Sequence, residues 1–274
     1  FYSILSRNGF LFNFSATFTN IIDFVTCVYN FNLEQFIKRG YGKQIYISQS
    51  NILDLSRKNN DFDALEKQKI ILKILLTYTY INQQKIQIGT QFYHKPLLLT
   101  LVNSVNTEDS DLEMFFKELV KIANEECDEI TLTNAKNELK SDLTHSYEFT
   151  NEKIQIDFNL INNYNYSDII KNIFNSDKPG KIEILKVPGN KQEIIFKLKT
   201  SDKPFGLIKI GDISEWIKNK LSGYEVIEKF DNESVFTKIN QDDSDITILM
   251  GSRSFYEGWD SNRPNIILYI NIGK

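Results

Sequence analysis

The apolar positions along the chain fall into two rhythms. Short unbroken runs occur at Leu97 to Val102, Phe205 to Ile210, Ile246 to Met250 and Asn265 to Ile272, each bounded by Gly, Pro or polar residues. Runs of this kind read as strands buried on both faces, as in parallel sheets. Between them, apolar residues return at helical spacing in Leu112 to Asn124, in Ile213 to Leu221 and in the long segment Asp61 to Gln83. In that long segment Leu65, Ile71, Leu72, Leu75 and Leu76 mark the apolar face. Strands and helices alternating at this pitch predict a doubly wound α/β sheet.

The flanking segments divide the chain further. Phe10 to Phe14 reads as a strand followed by the small residues Ser15-Ala16-Thr17, and Asn32 to Arg39 reads as a short helix stopped by Gly40-Tyr41-Gly42. Lys43 to Ser48 alternates as a strand, so residues 1–50 form one region and residues 51–92 a helical connector to a second domain at 93–274. Within that domain, 125–203 breaks the pattern. Glu126 to Lys140 and Tyr164 to Phe174 are helical, while Lys181 to Lys186 and Glu193 to Lys199 form a hairpin around Pro188-Gly189-Asn190. Charged alternation of this kind does not suit the middle of a doubly wound sheet, so the region is expected to be a mixed α+β insertion projecting from it. After Gly223 to Phe230, a loop and strand, Ser234 to Asn240 is a further short element.

Composition narrows the chemistry. With 41% hydrophobic and 25% charged residues the chain has material for a sizeable core. A net charge of −4 excludes a broad basic field, so contact with nucleic acid would depend on a local groove. Cys27 and Cys127 lack CxxC spacing and only His94 and His145 offer imidazoles, so no metal site is expected and a reducing cytoplasm fits best. No apolar run approaches the roughly 18 residues of a membrane span. Gly40-Tyr41-Gly42-Lys43 is not a phosphate loop, because Ile37 stands where the first glycine belongs and no Ser or Thr follows Lys43. Asp157 with Glu183-Ile184-Leu185-Lys186 approximates a nuclease Asp…Glu-x-Lys set, but this spacing puts Lys186 on the opposite strand face from Glu183.

The most informative stretch is Asp245 to Gly273. A strand ends in Gly251-Ser252, Gly258-Trp259-Asp260 follows with Gly258 six residues after Ser252, and Pro264-Asn265-Ile266 opens the next strand. On spacing alone these residues also suit a tight capped loop between two core strands. The wording Glu257-Gly258-Trp259-Asp260 resembles motif V of superfamily 2 helicases, and most closely the Res subunits of type III restriction systems. Two departures are Ser252 where many relatives have Thr, and three residues, Ser261 to Arg263, between Asp260 and Pro264 where many have one. Ser15-Ala16-Thr17 resembles motif III of the same superfamily, and the strand Leu97 to Val102 with Asn103-Ser104 after it resembles motif IV.

The resemblance implies a RecA-like second helicase lobe of the P-loop NTPase type, with a mixed α+β insertion and the tail of the first lobe at the N-terminus. It implies that Gly258 and Asp260 face the nucleotide, Asp260 accepting from ribose hydroxyls. Ser252, Arg253, Asn103 and Ser104 would face nucleic-acid phosphate, with Ser15, Ala16 and Thr17 coupling the two ligands. It further implies a parent that binds ATP and Mg²⁺, moves on DNA and works with a modification methyltransferase, of which this chain is a fragment. No Walker A loop, no Asp-Glu-x-His box and no Gln-x-x-Gly-Arg-x-x-Arg motif occurs in the sequence, so the chain alone is expected not to hydrolyse ATP. The rival expectation from another class is a non-catalytic α/β module binding nucleic acid or protein.

Overall fold

The computed structural model describes residues 7, 21–25, 27–43, 45–47, 64–89, 93–102, 111–144, 147–148, 156–229, 232–252 and 259–270. They divide into a smaller unit, Phe1–Ile47 with Glu148–Lys153, and a larger one, Ser48–Tyr147 with Ile154–Lys274. In the smaller unit the helix Leu33–Lys38 starts where the Asn32 side chain accepts from the Gln35 N–H at 3.0 Å. It stops at Gly40, whose φ of +76° lets its own N–H and that of Tyr41 reach back to Ile37 and Phe36. The glycines of Gly40-Tyr41-Gly42-Lys43 therefore serve a helix stop.

The larger unit is an α/β domain. Its elements are α1 (Ala64–Ile88), β1 (Leu97–Val102), α2 (Asp111–Ala123), α3 (Glu129–Thr144), α4 (Phe158–Asn163), α5 (Tyr166–Ile173), β2 (Ile182–Lys186), β3 (Glu193–Leu198), β4 (Pro204–Lys209), α6 (Ser214–Lys220), β5 (Val226–Glu228), β6 (Ile248–Ser252) and β7 (Pro264–Ile270). One seven-stranded sheet runs β5-β2-β3-β4-β6-β1-β7. The four strands expected from apolar runs, β4, β6, β1 and β7, are neighbours and parallel. Only β3 runs against the others, paired antiparallel with both β2 and β4.

Three expectations need correcting. The 125–203 region does not stand apart as a projecting insertion: β2 and β3 continue the same sheet, and α3 and α5 pack on α1. The charged alternation of β2 and β3 conceals this, because their charged side chains pair with one another. Lys197 meets Glu183 at 2.7 Å while Ile182, Ile184, Phe196 and Leu198 fill the core. Secondly, α1, expected as a connector between two domains, is part of the larger unit. Leu72, Leu75, Leu76 and Tyr78 are fully buried in the larger unit, and Lys73 is buried with its ammonium 2.8 Å from Asp142 of α3. Leu65, expected on the apolar face, is 58% exposed.

The third correction concerns the layers. All six helices send residues into one apolar cluster, with Leu98, Val102, Phe196, Ile208, Ile248 and Met250 from the sheet. The other face, built from Leu97, Leu99, Leu101, Ile195, Leu207 and Leu249, is covered by Val235, Phe236, Ile239, Ile246 and Trp259. Among the described residues no helix of the larger unit joins that second cluster. Among its described residues the polar connection from β5 to β6 forms the 3₁₀ turn Phe236–Lys238. The domain is thus an α/β fold whose described helices pack on one face of a mostly parallel sheet, and none of them is long and apolar enough to cross a membrane.

The amino edge of the sheet is tied together by side chains bonding to backbone. Thr247 Oγ donates to the last carbonyl of α5, Ile173, at 2.6 Å and lies 2.9 Å from the Phe205 carbonyl. Asn175 Nδ2 reaches the carbonyls of Pro204 and Asp245 at 2.7 and 2.8 Å, and Tyr78 Oη donates to Pro96 at 3.0 Å. Replacing Thr247 with Val keeps shape and leaves the Ile173 carbonyl short of a partner. We expect Thr247→Val to lose about 1 to 3 kcal/mol of unfolding free energy in urea. A change under about 0.5 kcal/mol, the size of an ordinary surface substitution, would contradict this role.

Candidate functional site

β6 and β7 run parallel with β1 between them, so chain leaving β6 must travel back along the sheet before entering β7. β6 ends with Gly251 and Ser252 opposite Leu101 and Val102, at the carboxyl end of the sheet. β7 begins with Pro264 opposite Leu97, at the amino end. The described part of this return, 259–263, is fixed at three points.

First, the Trp259 ring packs 5.6 Å from the Phe236 ring and joins the helix-free apolar cluster. Second, Asn240 grips the main chain beyond it. Its Nδ2 donates to the Asp260 carbonyl at 3.0 Å, and its Oδ1 accepts from Ser261 Oγ at 2.6 Å. Asp260 itself is exposed. Third, Arg263 anchors the end of the return. It is 1% exposed, and its guanidinium donates to the carbonyls of Lys95 at 3.0 Å, Pro96 at 3.3 Å, Ile246 at 2.6 Å and Ile239. Burial pushes its pKa below the ordinary arginine value, with Tyr78 and Asp242 acting the other way. A guanidinium in protein still stays charged, and the carbonyl dipoles aimed at it supply the solvation that burial removed.

The bed beneath Trp259 is built by a second buried charge. Glu193 opens β3 opposite Lys209, the last residue of β4, and is 1% exposed. Its carboxylate accepts from Ser234 Oγ at 2.6 Å and from the N–H groups of Val235 at 3.0 Å and Phe236 at 3.4 Å, with Lys209 Nζ at 3.3 Å. The same ammonium lies 5.4 Å from the centre of the Phe236 ring. Burial alone would push the Glu193 carboxyl up, but the Ser234 and Phe236 bonds, Lys209 and Asn190 outweigh it and hold it below the usual value.

Of the residues singled out by sequence, Ser252 is described as the end of β6, and Asp260 as an exposed carboxylate on a fixed main chain. Ser15, Ala16, Thr17, Asn103, Ser104, Arg253 and Gly258 lie outside the described residues. His94 stacks on Tyr93, with centroids 4.1 Å apart. Asp157 caps α4 by accepting from Asn159 N at 2.9 Å and Glu183 faces Lys197, so both carboxylates of the nuclease-like set have structural partners. Among the described residues no group of three His, Cys, Asp or Glu side chains could hold a metal ion. Burial pushes the Cys127 thiol up to about 12, which makes it a poor nucleophile.

Sequence reasoning missed Glu193, Asn240 and Arg263. Arg263 left one signal, a lone cation directly before the Pro that opens a core strand. Glu193 and Asn240 left none, since their partners lie 41 and 20 residues away. What the arrangement can do is hold an exposed carboxylate, Asp260, on a main chain fixed from both sides. Such a carboxylate can accept hydrogen bonds from ligand hydroxyls.

Two outcomes test this construction. Arg263→Met nearly keeps the volume of the side chain and removes the guanidinium donor from four carbonyls, of which that of Pro96 keeps Tyr78 Oη, and is expected to cost about 3 kcal/mol or more in thermal or urea unfolding; a loss below about 1 kcal/mol would show that the carbonyls find other partners. Glu193→Gln tests the second charge through pH. Because the folded pKa is depressed, its stabilisation is present above the unfolded value of about 4.3 and fades as pH falls through the lower folded value. The wild type should exceed Glu193→Gln in stability by about 2 kcal/mol at neutral pH, and the gap should close in acid. A gap unchanged across that range would mean the charge is irrelevant.

Comparison with protein-family models, with curated proteins and with solved structures finds no match for the chain.

Proposed function

We propose that the chain is part of an ATP-dependent DNA helicase or translocase of superfamily 2, of the kind found as the Res subunit of type III restriction systems. The observation that carries this reading is the path between β6 and β7. A buried parallel strand ends in Gly251-Ser252, the chain returns past an anchored Trp259-Asp260, and a second parallel strand begins at Pro264. The parallel block β4-β6-β1-β7 supports it, since ligands of open α/β sheets sit beyond the carboxyl ends of their strands. Ser252 stands at that end.

In this reading the Ser252 hydroxyl and Arg253 hold a nucleic-acid phosphate, and Asn103 and Ser104 after the adjacent strand β1 touch the same backbone. Gly258 admits the nucleotide close to the main chain, and Asp260 accepts from its ribose hydroxyls. One loop then touches both ligands, which is what coupling between them requires. ATP and Mg²⁺ belong to the longer protein, whose phosphate-cradling lysine and metal-holding acid are not among these residues. A modification methyltransferase is the partner this reading implies. The second reading, a non-catalytic α/β binding module, draws on the second face of the sheet, which among the described residues is covered by Val235, Phe236, Ile239, Ile246 and Trp259 and by no helix.

The test is a pair of substitutions in the full-length protein. Asp260→Ala should abolish or strongly reduce DNA-stimulated ATP hydrolysis and leave DNA affinity nearly intact. Arg253→Ala should weaken DNA binding and reduce the slope of log affinity against log salt by about 0.9, one phosphate's worth. If Arg253→Ala lowers stability and leaves the salt slope unchanged, Arg253 is a structural residue and the phosphate assignment fails.

A further inference from the structure

The seven-stranded sheet ends in β5 on one side and β7 on the other, and the two ends differ. β5 is three residues long and framed by charge, with Glu225 bound to Lys199 before it and Glu228-Lys229 at its end. Shortness and charge of this kind keep an edge strand from pairing with another chain. β7 runs for seven residues, Pro264 to Ile270, and among the described residues only β1 pairs with it. Asn265 to Ile270 contains no charged residue and no proline, and its register with β1 is unbroken from Ile266 onward. None of the protections seen at β5 is present, and the N–H and C=O groups on the side away from β1 form a ready template for a further strand.

The side chains of β7 divide by face. Ile266, Leu268 and Ile270 belong to the helix side, where Leu268 is buried. Ile267 and Tyr269 stand on the second face and are 50% and 47% exposed, although Leu99 and Leu101 beside them on β1 are buried there.

We propose that β7 pairs with β7 of a second copy of this chain, antiparallel about a two-fold axis at Leu268, so that two sheets join into one. The strand carries its own complement. With Leu268 opposite the partner's Leu268, Ile267 of each copy lies opposite the partner's Tyr269, which gives two aromatic to β-branched pairs on the exposed face. Ile266 falls opposite the partner's Ile270 on the helix side. Because neither strand carries a charge, two identical edges meet without repulsion. The pairing also closes on itself, whereas β7 set against β5 of another copy would leave edges for further copies. The new ladder and its side chains bury well under the roughly 1,200 Å² of a standard interface, so the dimer is weak, with a dissociation constant of about 10 to 100 µM. The inference uses only the order of the sheet and the residues of β7, and it stands or falls independently of the nucleotide and DNA reading.

The test is a charge exchange across the two-fold axis. Ile267→Lys and Tyr269→Glu each place a charge on the half-exposed face and leave the helix-side core untouched. Sedimentation velocity of the 274-residue chain, run from about 1 to 500 µM, should show the wild type passing from monomer to dimer. Each variant alone should dimerise about tenfold more weakly or worse, with a urea midpoint like that of the wild type. A mixture of the two variants should associate more tightly than either alone, since the mixed dimer sets the new lysine opposite the new glutamate and keeps one Ile267 to Tyr269 pair. That recovery requires antiparallel pairing in this register. A wild type that stays monomeric throughout leaves the edge to a strand of another protein or of the longer chain and overturns the proposal. Variants that dimerise like the wild type place the contact elsewhere, and a mixture no tighter than its components means another register; either result overturns it as well.

Discussion

A positive charge taken out of water organises the candidate site. The Arg263 guanidinium carries several N–H donors into the interior, and a buried donor without an acceptor is costly. Four backbone carbonyls meet it, two from the entry to β1, one from the 3₁₀ segment and one just before β6. Because Arg263 itself precedes β7, this single side chain sets the relative height of three neighbouring strands and of the segment covering their second face. Thr247, Asn175 and Tyr78 add bonds along the same edge. The amino end of the sheet is thereby fixed.

Residues 259–263, the described end of the return between β6 and β7, take their hydrogen-bond partners from elsewhere in the fold, because backbone groups outside a helix or ladder need such partners. Asn240 and the carbonyl edge that Arg263 joins supply them, while Trp259 and Phe236 provide apolar contact. Glu193 plays the matching part at the opposite end of the bed. Two buried charges of opposite sign, each satisfied mostly by neutral groups, thus bracket the segment that carries Asp260.

Much of the fold was legible in the sequence where one physical cause dominates. Leu97 to Val102 and Ile246 to Met250 have no polar face, and only burial on both sides of a parallel sheet accommodates that. The legibility ended where burial is achieved by pairing. Glu183 and Lys197 look like surface residues in sequence and lie side by side on adjacent strands, so a sheet extension was mistaken for an insertion. The packing of every described helix of the larger unit on one face was likewise hidden, since alternation of strand and helix does not say which face each helix takes. At the site, Asp260 could be picked out by its spacing from Ser252, but the residues that hold its loop could not. Asn240, Ile239 and Lys95 meet that loop only after the chain has folded, through bonds that use their amide or main chain and leave no mark in the residue pattern.

The central claim is that the return between β6 and β7, with the end of β1, is where nucleic acid and nucleotide meet the protein. Hydrogen exchange on this chain, free and with a short DNA duplex at low salt, tests it most directly. The account predicts new protection confined to peptides covering 102–110 and 251–260, lost again as salt is raised. Protection that appears elsewhere, for example on the β2–β3 hairpin, or no protection at any salt concentration, would contradict it.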